Sequence, residues 1–230
     1  NGILDAGDGK FQANGDYTMS GTKVIEGDIF VTGTLTINGN NSISGDVTAL
    51  DINLIGGATI TGDQTEEVVP PVTIPDIDLT PYYNEALKNG QVYNGNFTFT
   101  GASDWAPPGG IIRVNGDVNM NKTGKFIGTN IATGNINWQG SGEQVKVNDY
   151  PAVVSRDGDI KIGGDTDFHG LLYAKTGDFT KTGNGTVWGS IIANGTFTAG
   201  GGWDLIQYEN SNPAPPGSPP PPGTGDSGEG

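Results

Sequence analysis

Gly27-Asp28-Ile29-Phe30-Val31-Thr32-Gly33-Thr34-Leu35-Thr36-Ile37-Asn38-Gly39 has a glycine at every sixth position and apolar residues second and fourth after each of the first two. The step extends outward in both directions. Counting by sixes from Gly9 gives Gly15, Gly21, Gly27, Gly33, Gly39, Gly45, Asp51 and Gly57, so eight of these nine positions are glycine. With 40 glycines in 230 residues, composition alone would place only about one or two there. The apolar pairs Phe11/Ala13, Tyr17/Met19 and Val47/Ala49 repeat the pattern, with Asp, Thr, Asn and Ser mostly between them. Alternation of period two is the mark of a short strand with one buried face. A strand, a glycine corner and the same strand again predicts a solenoid.

The register restarts at Gly116 and continues through Gly128, Gly134 and Gly140, with Lys122 in place of one glycine. It resumes at Gly158, Gly164 and Gly170, then at Gly177, Gly183, Gly189, Gly195 and Gly201, with Val118/Met120, Ile136/Trp138, Ile160/Ile162, Leu172/Ala174 and Ile191/Ala193 as its apolar pairs. A longer cycle is visible in Ala174 and Ala193, 19 apart, and in Gly177 and Gly195, 18 apart. Three faces of six residues per turn account for this. The expectation is an all-β chain forming a three-sided, right-handed parallel β-helix. About eight turns at a strand spacing of roughly 4.8 Å would make a rod near 40 Å long.

One domain spans 1–208, made of a repeat block 3–62, an insertion 63–110 and a repeat block 111–208; a Pro/Gly-rich tail occupies 209–230. The insertion carries one helix signal, with Thr80 as N-cap, Pro81 in the first turn and Gly90 as the stop. Tyr83 and Leu87, four apart, are expected to pin this helix to the solenoid flank. Trp203–Tyr208 reads as a last strand closing the C-terminal end. No cap precedes Ile3, so the first turn is expected to be an open end of the rod and its assembly surface. The tail, with Pro215-Pro216 and Pro219 to Pro222, reads as polyproline II.

Eleven Lys+Arg against 26 Asp+Glu leave a net charge of −15. This argues against nucleic acid and anionic membrane surfaces, which need clustered cations. The absence of cysteine excludes disulfides, thiolate metal sites and a cysteine nucleophile. No apolar run approaches the roughly 18 residues of a membrane span. The chain begins at Asn1-Gly2 with neither initiator Met nor signal peptide, and is read as processed or as part of something longer.

The densest carboxylate group is Asp157, Asp159, Asp165 and Asp167. Calcium takes six to eight oxygen ligands, yet this spacing fits neither known calcium-loop pattern; polar residues beside glycine corners are the simpler reading, and calcium stays open as a ligand. Parallel β-helices also host polysaccharide lyases and hydrolases, so Arg113, Arg156 and the single histidine His169 are the residues to watch. Nothing in their spacing picks out an acid–base pair. No catalytic, cofactor-binding or metal-binding residue is assigned. The pairs Thr34/Thr36, Thr59/Thr61, Thr98/Thr100, Thr180/Thr182 and Thr196/Thr198 fall at different phases from the preceding glycine and are put down to β-propensity. Sequons at Asn40, Asn96, Asn121, Asn184 and Asn194 are candidate glycan acceptors.

Taken together, Gly116-Asp117-Val118, Gly134-Asn135-Ile136, Gly158-Asp159-Ile160, Gly170 to Ala174, Gly177-Asp178-Phe179 and Gly189 to Ala193 resemble the β-helical C-terminal domain of minor-pilin-like, type IV pilus-associated bacterial surface proteins. Gly27 to Val31 fits the same pattern, so the resemblance covers residues 15–208. It implies a non-enzymatic, extracellular structural or adhesive module of a pilus-type filament. Its partners would be other filament subunits, copies of itself or a surface glycan. The chain departs from the family in lacking the hydrophobic N-terminal pilin helix. Two alternatives stay open: a polysaccharide-binding or polysaccharide-degrading β-helix, and a calcium-dependent binding module.

Overall fold

The computed structural model describes residues 2–71, 73, 76–147, 150–202 and 204–206. Trp203, Tyr208 and the proline-rich tail lie outside the described residues. Among the described residues 22 strands form one parallel β-solenoid of about 10 turns, with one α-helix, Thr80–Lys88. Register partners on successive turns lie between 17 residues (Leu35↔Ile52) and 24 residues (Ile136↔Ile160) apart.

The pairings sort into three ladders, and their order is the main surprise. In the first ladder Phe97–Gly101 pairs with Val118–Lys122, then come Ile136–Trp138, Ile160–Ile162, Phe179–Lys181 and Phe197–Ala199. The next rung is Tyr17–Gly21, with Tyr17↔Phe197, Thr18↔Thr198 and Met19↔Ala199. The second ladder stacks Val92–Asn94, Ile111–Asn115, Thr129–Ala132, Val153–Ser155, 171–174 and 190–193. The third, Phe126–Ile127, Glu143–Val145, 167–170, 186–189 and Asp204–Ile206, crosses to the first turn as the first ladder does, with Leu4↔Leu205 and Asp5↔Ile206. The stack therefore runs from 92 to 206 and continues from 2 to 66.

This corrects two expectations. The first turn is in mid-stack with the chain's own last strands on it, and the strand Asp204–Ile206 closes no end of the rod. Pairing follows edge geometry, not chain order. The last and first turns each offer a strand edge in matching register, and joining them removes two open edges.

The segment 63–110 is also redistributed. Residues 67–71 and 76–91 belong to a strap running back along the outside of the second ladder. Its start is tied by the Glu67 N–H to the Ala49 carbonyl (2.8 Å), its middle by Asp76 to Lys175 (2.5 Å) and its end by the Arg113 N–H to the Gln91 carbonyl (2.9 Å). Getting from the rung at 64–66 to the level of Lys175 takes five strand spacings, about 24 Å. Ten extended residues reach about 33 Å. The remaining turns beyond the expected eight come from Thr59–Ile60 with Gln64–Glu66 on one side of the strap and Val92–Asn94 with Phe97–Gly101 on the other.

Those flanking turns cap the rod by different chemistry. At one end Gln64 and Glu66 occupy the rung over the inward Val47 and Ala49, so the interior column finishes in polar side chains. The Glu66 carboxylate also accepts the N–H of Ile52 on the terminal edge (3.1 Å). At the other end aromatic rings lie across the interior: Phe99 and Trp105 stack at 4.4 Å, and Tyr93 meets Phe97 at 4.4 Å. Terminal turns of a solenoid need such covers.

The helix differs in detail from its sequence signals. Leu79, not Thr80, is the N-cap and offers no side-chain cap; Asp78, just before it, accepts the Thr80 N–H at 2.9 Å. The buried stripe is Leu79, Tyr82 and Ala86, packed on Ile111, Ile131, Val154, Leu171 and Tyr173 of the second ladder's outer face; Leu87 is exposed. A second core, inside the solenoid, runs unbroken through both halves, from Val118 and Phe126 past Phe197 to Tyr17 and Val47. Close stacking at the corners explains Gly140. A Cβ there would come 1.8 Å from the Lys122 carbonyl oxygen of the turn below.

Candidate functional site

The four aspartates of the acidic group are engaged in the fold. Asp159 accepts the N–H of Asp178 (3.0 Å), Asp165 that of Asn184 (3.1 Å) and Asp167 that of Thr186 (2.7 Å), each on the next turn. Asp157 pairs with Arg156. Asp159 belongs to a corner column in which each side-chain oxygen binds the backbone one turn on: Asn96 to Asp117, Asp117 to Asn135, Asn135 to Asp159, Asp178 to Thr196. Asp16, Asp28 and Asp46 do the same for Thr34, Asp46 and Asp63. The Gly-Asp and Gly-Asn pairs of the sequence are thus corner acceptors that satisfy backbone donors left over between strands. Among the described residues no group of three or more His, Asp or Glu is placed to hold a metal ion.

The strap creates a concave gathering of opposite charges. A groove of about 400 Å³ is lined by Asp76, Asp78, Tyr83, Arg156 and Lys175. Arg113 stands over the Tyr83 ring, 4.1 Å from its centroid. Arg113 and Arg156 stand out in the sequence as its two arginines, but nothing there joins them to Asp76, Tyr83 or Lys175, which the strap brings from distant positions. Asp78, Arg156 and Lys175 in the groove, and Asp157 beside Arg156, are held in their charged forms. The hydrogen bond from Arg156 lowers Asp157 and in turn raises Arg156; Asp76 raises Lys175; the Thr80 N–H lowers Asp78. General acid–base catalysis near neutral pH favours groups shifted the other way, a raised carboxyl or a lowered amine.

His169 sits elsewhere, on the third ladder. Its Nε2 lies 3.2 Å from Glu143, and its ring stacks on Trp188 at 4.6 Å. Glu143 also takes Lys125 at 2.7 Å, and this hydrogen bond holds its carboxyl below the usual range. Lys125, Glu143, His169 and Trp188 thus clip successive turns together.

The threonines behave differently from their reading in sequence. In the first ladder Thr180, Thr198, Thr18 and Thr36 stack on consecutive rungs, crossing the junction of the chain's two ends. Asn53 extends the column on one side; Lys161, Asn137, Asn119 and Thr98 extend it on the other. The flanking Tyr17, Met19, Phe179 and Phe197 are buried, so the column faces outward. Each of these threonines stands third after a corner glycine (Gly15, Gly33, Gly177 and Gly195), a common phase that reading the threonines as Thr-X-Thr pairs obscured. Of the sequon residues, Asn96 and Asn184 are spent on inter-turn hydrogen bonds, whereas Asn40, Asn121 and Asn194 are exposed on corners or outer faces.

No family model, curated protein or solved structure matches this chain. No helix among the described residues is long and apolar enough to cross a membrane.

Proposed function

We propose that this chain is a non-enzymatic structural or adhesive module of an extracellular, pilus-type filament, a stiff rod that contacts other subunits or a surface. The observation carrying this reading is the Thr/Asn column of the first ladder. In a chain of net charge −15, one outward column holds nine successive rungs with Lys161 as their only charge. A flat, regular array of hydroxyls and amides suits contact with another extended surface better than enclosure of a small molecule. The corner carboxylates support the same reading, since they are committed to holding turns together. The minor-pilin-like resemblance supplies the filament context.

A second reading has its own observation. The strap groove places Tyr83 beside Arg156 and Lys175, an aromatic and two cations of the kind that hold acidic polysaccharides. Electron microscopy of the native material, paired with an assay on acidic and neutral glycans, separates the two. Protein found in filaments, with the glycans uncut, supports the first. Dispersed monomers that cleave or tightly bind an acidic glycan, with binding lost in Arg156→Ala, overturn it in favour of the second.

A further inference from the structure

The junction between residues 197–206 and 2–21 is an interface between two parts of one chain that no adjacent loop connects. Within residues 2–206 the only covalent path across this level is the strap segment 67–75. Everywhere else in the stack, neighbouring turns are joined directly by a corner, so separating them would mean tearing the coil. Here the two halves can part as intact bodies, because the paired turns 2–21 and 197–206 are not consecutive in sequence and no corner joins them.

The junction is also thin. It is held in register by Leu4↔Leu205 and Asp5↔Ile206 on one ladder and by Tyr17–Met19 against Phe197–Ala199 on another. One step further along, the first turn pairs with the second through Gly2–Asp5, Lys10–Ala13 and Tyr17–Gly21. The strap has its own anchorage: Leu79, Tyr82 and Ala86 are buried against the half containing 111–173. If the junction opens, the strap's helix therefore stays with that half, and residues 2–66 remain joined to it by the covalent chain alone.

We infer that the docking surface exposed by opening, the Phe197–Ala199 and Asp204–Ile206 edges with the core behind them, accepts residues 2–66 of a second copy of this chain. The occupant fits by construction, since the same strands with the same register and the same Tyr17–Phe197 contact fill it within one molecule. Because donor and acceptor are different surfaces, exchange is head-to-tail, and each added copy presents the next open junction. The two capped ends of the rod then stay out of the assembly. This inference rests on the pairing alone and holds whether the protein serves a filament or binds glycans.

The chain has no cysteine, which allows a direct test. Thr18 and Thr198 are opposed across the junction and half exposed. Neighbouring strands bring their Cα atoms within disulfide range. A Thr18→Cys copy and a Thr198→Cys copy, mixed at high concentration, opened in mild denaturant, refolded and oxidised, should yield mixed 18–198 dimers several-fold above either homodimer. In the Thr18→Cys/Thr198→Cys double variant the same treatment should give a ladder of covalent multimers that collapses to cross-linked monomer when refolding is done dilute. Mixed dimers at or below the statistical ratio, or cross-linked monomer alone at every concentration, would overturn the inference. Circular dichroism of each single variant before mixing shows that the fold is intact, so absence of exchange cannot be mistaken for unfolding.

Discussion

Tyr17 and Phe197 meet edge to face inside the solenoid, ring centroids 5.3 Å apart, although they come from opposite blocks of the sequence. Phe197 also stacks on Phe179 at 5.0 Å. This makes it the interior link between the last turn of one half and the first turn of the other. Phe197→Ala should cost about 3–5 kcal/mol, the usual loss for a buried aromatic, and should lower the denaturant midpoint accordingly. Leu50→Ala, at a side chain 51% exposed, should stay within about 0.5 kcal/mol. Equal effects from the two would mean that the halves do not share a core.

Corner spacing gives a sharper test, because its cost is purely steric. The Cβ of Gly140→Ala would fall 1.8 Å from the Lys122 carbonyl oxygen, and neither backbone can retreat without breaking its rungs. A loss above about 3 kcal/mol is expected, beyond the common range for single substitutions. Gly95 has φ +86 but nothing within 4 Å of a Cβ. Gly95→Ala should therefore cost only the left-handed backbone penalty, about 1–2 kcal/mol. Thermal unfolding of both variants reads the difference.

These two sites mark what the sequence made legible. Period-two alternation between glycines reports local geometry, so Gly27–Gly39 was enough to establish strands, corners and a parallel solenoid. Which turn stacks on which is decided by edges that meet in space, and nothing near Ile3 or Trp203 records that the two ends adjoin. For the same reason the strap groove was only half visible. Arg113 and Arg156 stood out as the only arginines, while Asp76 and Lys175 become neighbours only once residues 67–91 run back along the rod. The Thr column stayed hidden because the threonines were paired as Thr-X-Thr; Thr18 and Thr198 each stand third after a corner glycine, but nothing local places their turns side by side.

Corner carboxylates should tolerate loss of charge but not loss of the acceptor. Asp159 takes the Asp178 N–H at 3.0 Å, and Asn135, one turn before, fills the same role as an amide. Asp159→Asn should therefore stay within about 0.5 kcal/mol, while Asp159→Ala should lose about 1–2 kcal/mol by stranding the N–H. Millimolar calcium should leave the melting temperature where magnesium leaves it. A rise of several degrees specific to calcium would restore the metal-binding alternative.

Stability against pH follows from the paired groups. Asp78, Asp157 and Glu143 are lowered by the Thr80 N–H, Arg156 and Lys125 respectively. Their contribution is complete above the ordinary carboxylate range near 4 and is lost as pH falls through their lowered values. Lys125 and Lys175 are raised by Glu143 and Asp76, so theirs is complete below their ordinary value and is lost as pH rises past it. A plateau from about pH 5 to pH 9 is expected, with an acid limb below about pH 4. Denaturation at stepped pH checks it, and Glu143→Gln should flatten part of the acid limb.

The two interior lysines should respond to substitution in opposite ways. Lys122 continues the inward row Val118, Met120 and is 1% exposed. Its Nζ has no hydrogen-bond partner among the described residues and lies 4.9 Å from the Phe99 ring centroid. Lys181 is equally buried, but its Nζ donates to the Asn184 carbonyl at 2.8 Å. A cation over a ring recovers up to about 2 kcal/mol, less than the several kcal/mol that burying an unpaired ammonium costs. Lys122→Met keeps the stem and removes the charge, so it should raise stability by about 1–2 kcal/mol. Lys181→Met leaves a corner carbonyl without its donor and should lower stability by a similar amount. Urea unfolding of the pair decides the matter. A loss in both would show that the ring of Phe99 holds the Lys122 ammonium as well as a carbonyl would.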